Sequence, residues 1–144
     1  AVAMIGSNTR TYQQDKGENL YRRSLYTFWK RSAPPASMDV LNAPNRETCT
    51  VRRERTNTPL QALVTLNDVQ FVEASRRLAE AALKEAGTTD RLNAMAARLL
   101  ARPFTEAELK VLGPVVSELE GHYKAHPEEA KKLIAVGESK ADAA

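Results

Sequence analysis

Thr58-Pro59-Leu60-Gln61-Ala62-Leu63-Val64-Thr65-Leu66-Asn67-Asp68-Val69-Gln70-Phe71 is the stretch whose reading decides the fold class. Thr58 is a favoured N-cap residue. Pro59 suits the first helical position, where its missing N–H would be unpaired anyway, and Gln61 is placed to reach back to the cap. Leu60, Leu63 and Val64 recur at helical spacing and define an inward stripe. A second stripe runs through Phe71, Ser75, Leu78, Ala79, Ala82, Leu83 and Ala86, and Gly87 reads as its C-terminal stop. If the two stripes formed one helix, Asn67 would fall on the buried face, where an unpartnered amide costs about 1–3 kcal/mol. The spacing therefore predicts a break at Asn67-Asp68, with either residue capping the second helix. Glu73 with Arg77 and Glu80 with Lys84 are i,i+4 pairs and read as a solvated outer face.

Toward the C-terminus the same helical grammar repeats. Thr88 or Thr89 can cap a helix with Leu92, Met95, Ala96, Leu99 and Leu100 inward, which Pro103 closes. Thr105-Glu106-Ala107-Glu108 is a second capping box. It opens a helix carrying Leu109, Leu112, Val116, Leu119 and Tyr123, in which Gly113-Pro114 predicts a kink or interruption. Pro127, with Glu128 and Glu129 in the first turn, begins a last short helix that Gly137 ends.

Toward the N-terminus the grammar weakens. Tyr21, Leu25, Phe28 and Trp29 follow a helical stripe, and Arg22, Arg23, Lys30 and Arg31 lie largely off it, which predicts a short amphipathic helix ending before Pro34-Pro35. From Ser32 to Asn57 no period persists, and Pro34, Pro35 and Asn42-Ala43-Pro44-Asn45 are turn chemistry. The expected fold is all-α: an irregular domain of about five to six helices with a long N-terminal Arg/Pro-containing loop. Residues 1–137 read as one helical domain, loop-rich over 1–57 and helical over 58–137, with 138–144 as a flexible tail.

The chain has 144 residues and a net charge of +3, unevenly shared. Residues 1–58 hold ten Lys or Arg against five Asp or Glu, and residues 59–144 hold eleven against thirteen. A basic half fits an anionic partner, and equally fits arginines that serve solubility or meet carboxylates of a neighbouring domain. Nucleic-acid binding would rest on charge alone. No apolar run reaches the length of a membrane span. The start at Ala1, with neither Met nor a signal-peptide pattern, reads as a cut within a longer protein. Cys49 is the single cysteine, which excludes an internal disulfide, a multi-cysteine zinc cluster and a CxxCH haem-attachment run.

The densest polar segment, Arg46-Glu47-Thr48-Cys49-Thr50-Val51-Arg52-Arg53-Glu54-Arg55, leads into the Thr58 helix. Arg46, Arg52, Arg53 and Arg55 are the anion-binding candidates, because guanidinium forks grip carboxylate, sulfate or phosphate in bidentate fashion. Thr58 and Gln61 mark a helix N-terminus whose N–H groups would add donors. The structural alternative is that these arginines tie the loop to backbone carbonyls and to Glu47 or Glu54. Cys49 among arginines would favour its thiolate, but a base is missing nearby, and an inert buried cysteine is the expectation. His122 and His126 are four apart, yet Pro127 pushes His126 out of helical geometry, so no metal pair is expected. Glu106 with Glu108, Glu118 with Glu120 and Glu128 with Glu129 read as capping and solubility residues. No catalytic residue is assigned. Tyr21, Tyr26, Phe28 and Trp29 can stack sugars or bases between basic groups, and at helical spacing they also fit a core.

The string from Leu20 to Arg31, Pro34-Pro35, Ala43-Pro44, Arg46-Glu47-Thr48-Cys49 and Arg52 through Leu63, continued by Leu66-Asn67-Asp68, Phe71 to Ala74 and Arg76, resembles the planctomycete-specific PSD-one domain. The resemblance is specific from about Gly6 to Leu83 and weaker beyond. It implies a domain of unknown function at the C-terminal end of large secreted proteins that carry a signal sequence and a cytochrome-c-like segment. Haem c would thus belong to the full-length protein, with no cofactor in this part. The location would be secreted or periplasmic, and the partners other domains of the same protein or an anionic polysaccharide. It also implies a further apolar helix after the last residues here, leaving one face of the core to be covered. The expected function is a non-catalytic helical module whose Arg-rich loop meets an anionic group on a glycan or a neighbouring domain. The alternative is part of a polysaccharide-acting hydrolase or redox enzyme completed by upstream domains.

Overall fold

The structure is a computed structural model that describes residues 14–30, 33–85 and 87–141. It divides into two compact units, Ala1–Thr56 and Asn57–Ala144. Among the described residues there are six α-helices and no strand, only an isolated antiparallel bridge between Lys30 and Ala33. The protein is all-α.

In the first unit the expected amphipathic helix is absent. Two 3-10 turns, Gly17–Tyr21 and Ser24–Tyr26, stand in its place. The Arg46 guanidinium donates to the Ser24 and Leu25 carbonyls, and the Ser24 carbonyl also accepts from Thr27 N–H at the end of the second turn. Tyr21, Tyr26 and Phe28 accordingly remain more than half exposed. The long loop also contains a five-residue helix that its prolines concealed, α1 at Ala36–Val40. Pro35 fixes the backbone at its N-cap, and its carbonyl accepts from the N–H groups of Met38 and Asp39.

The second unit holds α2 (Pro59–Asn67), α3 (Val69–Ala82), α4 (Thr88–Leu100), α5 (Glu106–Ala125) and α6 (Pro127–Ile134). The Thr58 capping box forms as expected: Thr58 Oγ1 accepts from Gln61 N–H and Gln61 Oε1 from Thr58 N–H. The break also falls where the buried-amide argument put it. Asp68 caps α3 through Gln70 N–H, and the Asn67 amide turns back to the Leu63 carbonyl. Gly87 has a different role from the expected stop: α3 ends at Ala82, and Gly87 is the N-cap of α4, so neither Thr88 nor Thr89 caps. The α5 helix runs through Pro114 without the expected interruption. Proline's φ suits a helix, and one lost hydrogen bond near an exposed Lys110 does not outweigh the bonded turns on either side.

Packing is pairwise: α2 on α3, α3 on α4, and α5 on α6. Ala82, Leu92 and Ala96 are the buried apolar residues among those described, so α3 and α4 approach through small side chains. Each helix covers one narrow strip. Leu60, Leu63, Leu83, Leu99, Leu100 and Leu119, all expected inside, are about half exposed or more.

The best-buried polar group lies where a solvated face was expected. Glu73 is 8% exposed, and its carboxylate accepts from Glu138 N–H (3.2 Å) and Ser139 N–H (2.8 Å). Arg76 alongside donates to the Ser139 carbonyl (2.6 Å) and hydroxyl (2.7 Å), with Glu80 3.5 Å from its Nη1. The segment expected to be a loose tail is thus bound at Glu138 and Ser139, while 142–144 lie outside the described residues. Gly137 turns the chain into this clamp at φ +97°, and a Cβ there would strike the Glu73 carboxylate. Glu73→Ala is expected to lower unfolding free energy by about 3 kcal/mol or more, because a buried guanidinium loses a counter-charge. Gly137→Ala is expected to cost about 1–3 kcal/mol. Urea unfolding followed by circular dichroism measures both, and wild-type stability in either variant would contradict the clamp.

At the start of α5 the second capping box forms, and Arg102 adds a bidentate grip on Glu108, both bonds 2.8 Å. The hydrogen bonds from Arg102 and from Thr105 N–H hold the Glu108 carboxyl down to about 2 from the ordinary 4.5. Its folded value is the lower one, so its stabilising contribution is complete above about pH 4.5 and is lost as pH falls toward about 2. A carbon-13 titration of Glu108 should show a midpoint near 2, and Arg102→Ala should move it up toward the ordinary value.

Candidate functional site

The Arg46–Arg55 segment lies in the first unit, and its arginines do different work. Asn42 and Arg46 both adopt left-handed backbone, φ 54° and 63°. Asn45 Oδ1 accepts from the N–H groups of Glu47 and Thr48, which sets the turn that swings Arg46 back. The Arg46 guanidinium donates to the carbonyls of Ser24 (3.1 Å), Leu25 (3.5 Å) and Thr27 (3.4 Å) and lies over the Trp29 ring, 5.3 Å from its centroid. Arg53 closes the end of α1, donating Nη2 to the Leu41 carbonyl (2.6 Å) and Nε to that of Asn42 (3.1 Å). The Asn42 amide in turn reaches Thr56 Oγ1 at 2.6 Å. A cation at the last carbonyls of a helix is favourable by dipole as well as by hydrogen bond.

Arg52 and Arg55 are left over. Both are exposed, and their guanidinium groups make no hydrogen bond or ion pair to the described residues. With Arg53 and Glu54 they line a shallow depression of about 430 Å³. The four candidates therefore separate into two that bind main chain and two whose donors face solvent.

Thr58 and Gln61, in the second unit, direct their N–H groups into their own capping box. Pro59 has no N–H, so this helix start keeps few donors for an external anion. Cys49 is exposed, contrary to the expected burial, and its unit contains no histidine to act as a base. His126 sits at the junction of α5 and α6 as Pro127 required. Its ring still stacks on His122 at 4.5 Å, and His122 Nε2 is 3.0 Å from Glu129 Oε2. Among the described residues no group of three His, Cys, Asp or Glu is arranged to hold a metal ion, and none of the described helices is long and apolar enough to cross a membrane. The chain has no CxxCH run, so its residues do not fit a covalently attached haem. The polar groups that sequence reasoning missed are Glu73, Arg76 and Ser139. Contacts spanning 63 to 66 residues leave no local signal.

Fold and site together define a class: an all-α protein with an arginine-bearing irregular loop in one unit and capped helices in the other. Within that class the chain belongs to the PSD1 family, proteins of unknown function (DUF1553), which it matches over residues 2–116. Neither the curated proteins nor the solved structures include a match to it.

Arg46→Ala should free three carbonyls and the Trp29 face together. Hydrogen exchange across residues 24–29 is expected to show an opening free energy lower by about 1–2 kcal/mol. Arg52→Ala should leave that exchange unchanged, and equal effects of the two substitutions would refute the division of roles.

Proposed function

We propose that the chain is a non-catalytic helical module of a larger secreted protein, and that Arg52 and Arg55 receive an anionic group, a sulfate or carboxylate, on a glycan. The observation that supports this reading is the division among the four arginines. Arg46 and Arg53 satisfy the loop's own carbonyls, while Arg52 and Arg55 contribute two charges and up to ten N–H donors to solvent at one depression. Guanidinium forks on a fixed loop suit bidentate capture of a planar or tetrahedral oxyanion. Arg53 holds the loop between them to α1, which limits the motion that binding would have to freeze. The secreted setting follows from the sequence resemblance and agrees with a partner outside the cell.

Heparin affinity measured across a salt series tests the reading. Retention at low ionic strength should fall steeply as salt rises, as screening of exposed charges requires. The Arg52→Ala/Arg55→Ala double variant should elute early with its helix content intact. Absence of binding at low salt, or binding indifferent to both substitutions, rejects the glycan reading. Binding by the double variant's wild-type parent to carboxylate-rich domains of the full-length protein, and not to heparin, would reassign the same arginines to an interdomain contact.

A further inference from the structure

The chain between α1 and α2 contains four arginines, and their side chains are not equally free. Arg46 donates to three carbonyls and lies on Trp29, and Arg53 donates to the carbonyls of Leu41 and Asn42. Arg52 and Arg55 make no hydrogen bond or ion pair to the described residues. The main chain leading to Arg52 is free as well. Asn45 to Leu60 is exposed throughout, Val51 to 98%. From Cys49 to Arg52 neither main chain nor side chain has a hydrogen-bond partner among the described residues. After Arg55 the chain is tied again, because Thr56 Oγ1 accepts from the Asn42 amide at 2.6 Å.

An exposed irregular loop is where a folded chain is most readily nicked. An endopeptidase holds its substrate as an extended strand through main-chain donors and acceptors, and one of arginine specificity also needs a free guanidinium for its acidic pocket. Cys49 to Arg52 offers both: unpaired N–H and C=O groups, then an unpaired arginine at the bond to be cut. Arg53 fails the second requirement, and Arg55 is followed by a tethered Thr56. The remaining arginines beyond α1 are poorer sites. Arg76, Arg77, Arg91 and Arg98 lie within α3 and α4, which would have to open first, and Arg102 is followed by proline.

We propose that the Arg52–Arg53 peptide bond is a processing site for an endopeptidase of arginine specificity. One water adds across the bond: its oxygen joins the Arg52 carbonyl carbon, and both its protons go to the Arg53 nitrogen as the C–N bond breaks. The products are a carboxylate and an ammonium, and no other reactant is consumed. The bond falls between α1 and α2, just before the boundary of the two compact units, so cleavage breaks no α-helix. It also places Arg52 and Arg55 on different products, a consequence for anion capture that rests on the proposed function.

Brief digestion of the folded whole chain with a small amount of trypsin, its products identified by mass, tests the proposal. The first arginine cut between α1 and α6 should leave a product that starts at Arg53. The preference for Arg52 over Arg53 should exceed that in a free peptide of residues 46–60 by about tenfold or more, because Arg53 has to release its carbonyls before it can enter the pocket. Arg52→Gln removes no internal contact and should slow the appearance of that product at least about a hundredfold, with helix content unchanged. A first cut after Arg46, Arg53 or Arg55 or within a helix, or equal preferences in chain and peptide, overturns the proposal. Cleavage after Arg52 in a chain that does not bind heparin upholds the processing site and rejects only the glycan reading.

Discussion

A backbone carbonyl outside a helix must find a donor, and in this chain arginine repeatedly supplies it. Arg46 serves Ser24, Leu25 and Thr27; Arg53 serves Leu41 and Asn42. In the second unit Arg76 serves Ser139, Arg91 serves Glu85 and Arg102 serves Pro103. Each contact reaches a carbonyl outside an α-helix or at its end. The guanidinium group suits this task because its donors fan out in one plane and stay charged at any physiological pH. Irregular chain of this length can therefore be held without a sheet or a disulfide.

The same constraint changes the meaning of the basic charge. A surplus of five positive charges over residues 1–58 looks like an electrostatic footprint when it is counted. In the structure part of it is internal wiring, and the charge available to a partner contracts to Arg52 and Arg55 within the segment. The aromatic residues are redistributed in a parallel way. With a 3-10 turn at Ser24–Tyr26 in place of an α-helix, Tyr26 and Phe28 do not fold inward along a stripe, and they stay more than half exposed.

The helical unit obeys a complementary rule. Its helices pack in pairs, through Ala82 and Ala96 where the approach is closest, and most of their leucines stay partly exposed. The buried polar group belongs to a clamp in which Glu73 and Arg76 bind Glu138 and Ser139. Such a clamp adds direction more than apolar burial, since each partner accepts only one geometry. Arg76 keeps Nε and Nη1 without a hydrogen bond, the cost of seating a guanidinium between two carboxylates.

The sequence by itself determined the all-α class, the two capping boxes at Thr58 and Thr105, the break at Asn67-Asp68 and the start of α6 at Pro127. These are interactions among residues within four positions of one another, so their energetics are complete in a short window. Tertiary structure alone decided that Leu20 to Lys30 is not an α-helix, that Glu73 is buried, and which arginines remain open to a ligand. Those outcomes turn on Arg46, Arg53 and Arg76 finding carbonyls from 11 to 63 residues away. A residue's spacing records which face it shares with its neighbours. It carries no record of which distant oxygen will claim its charge.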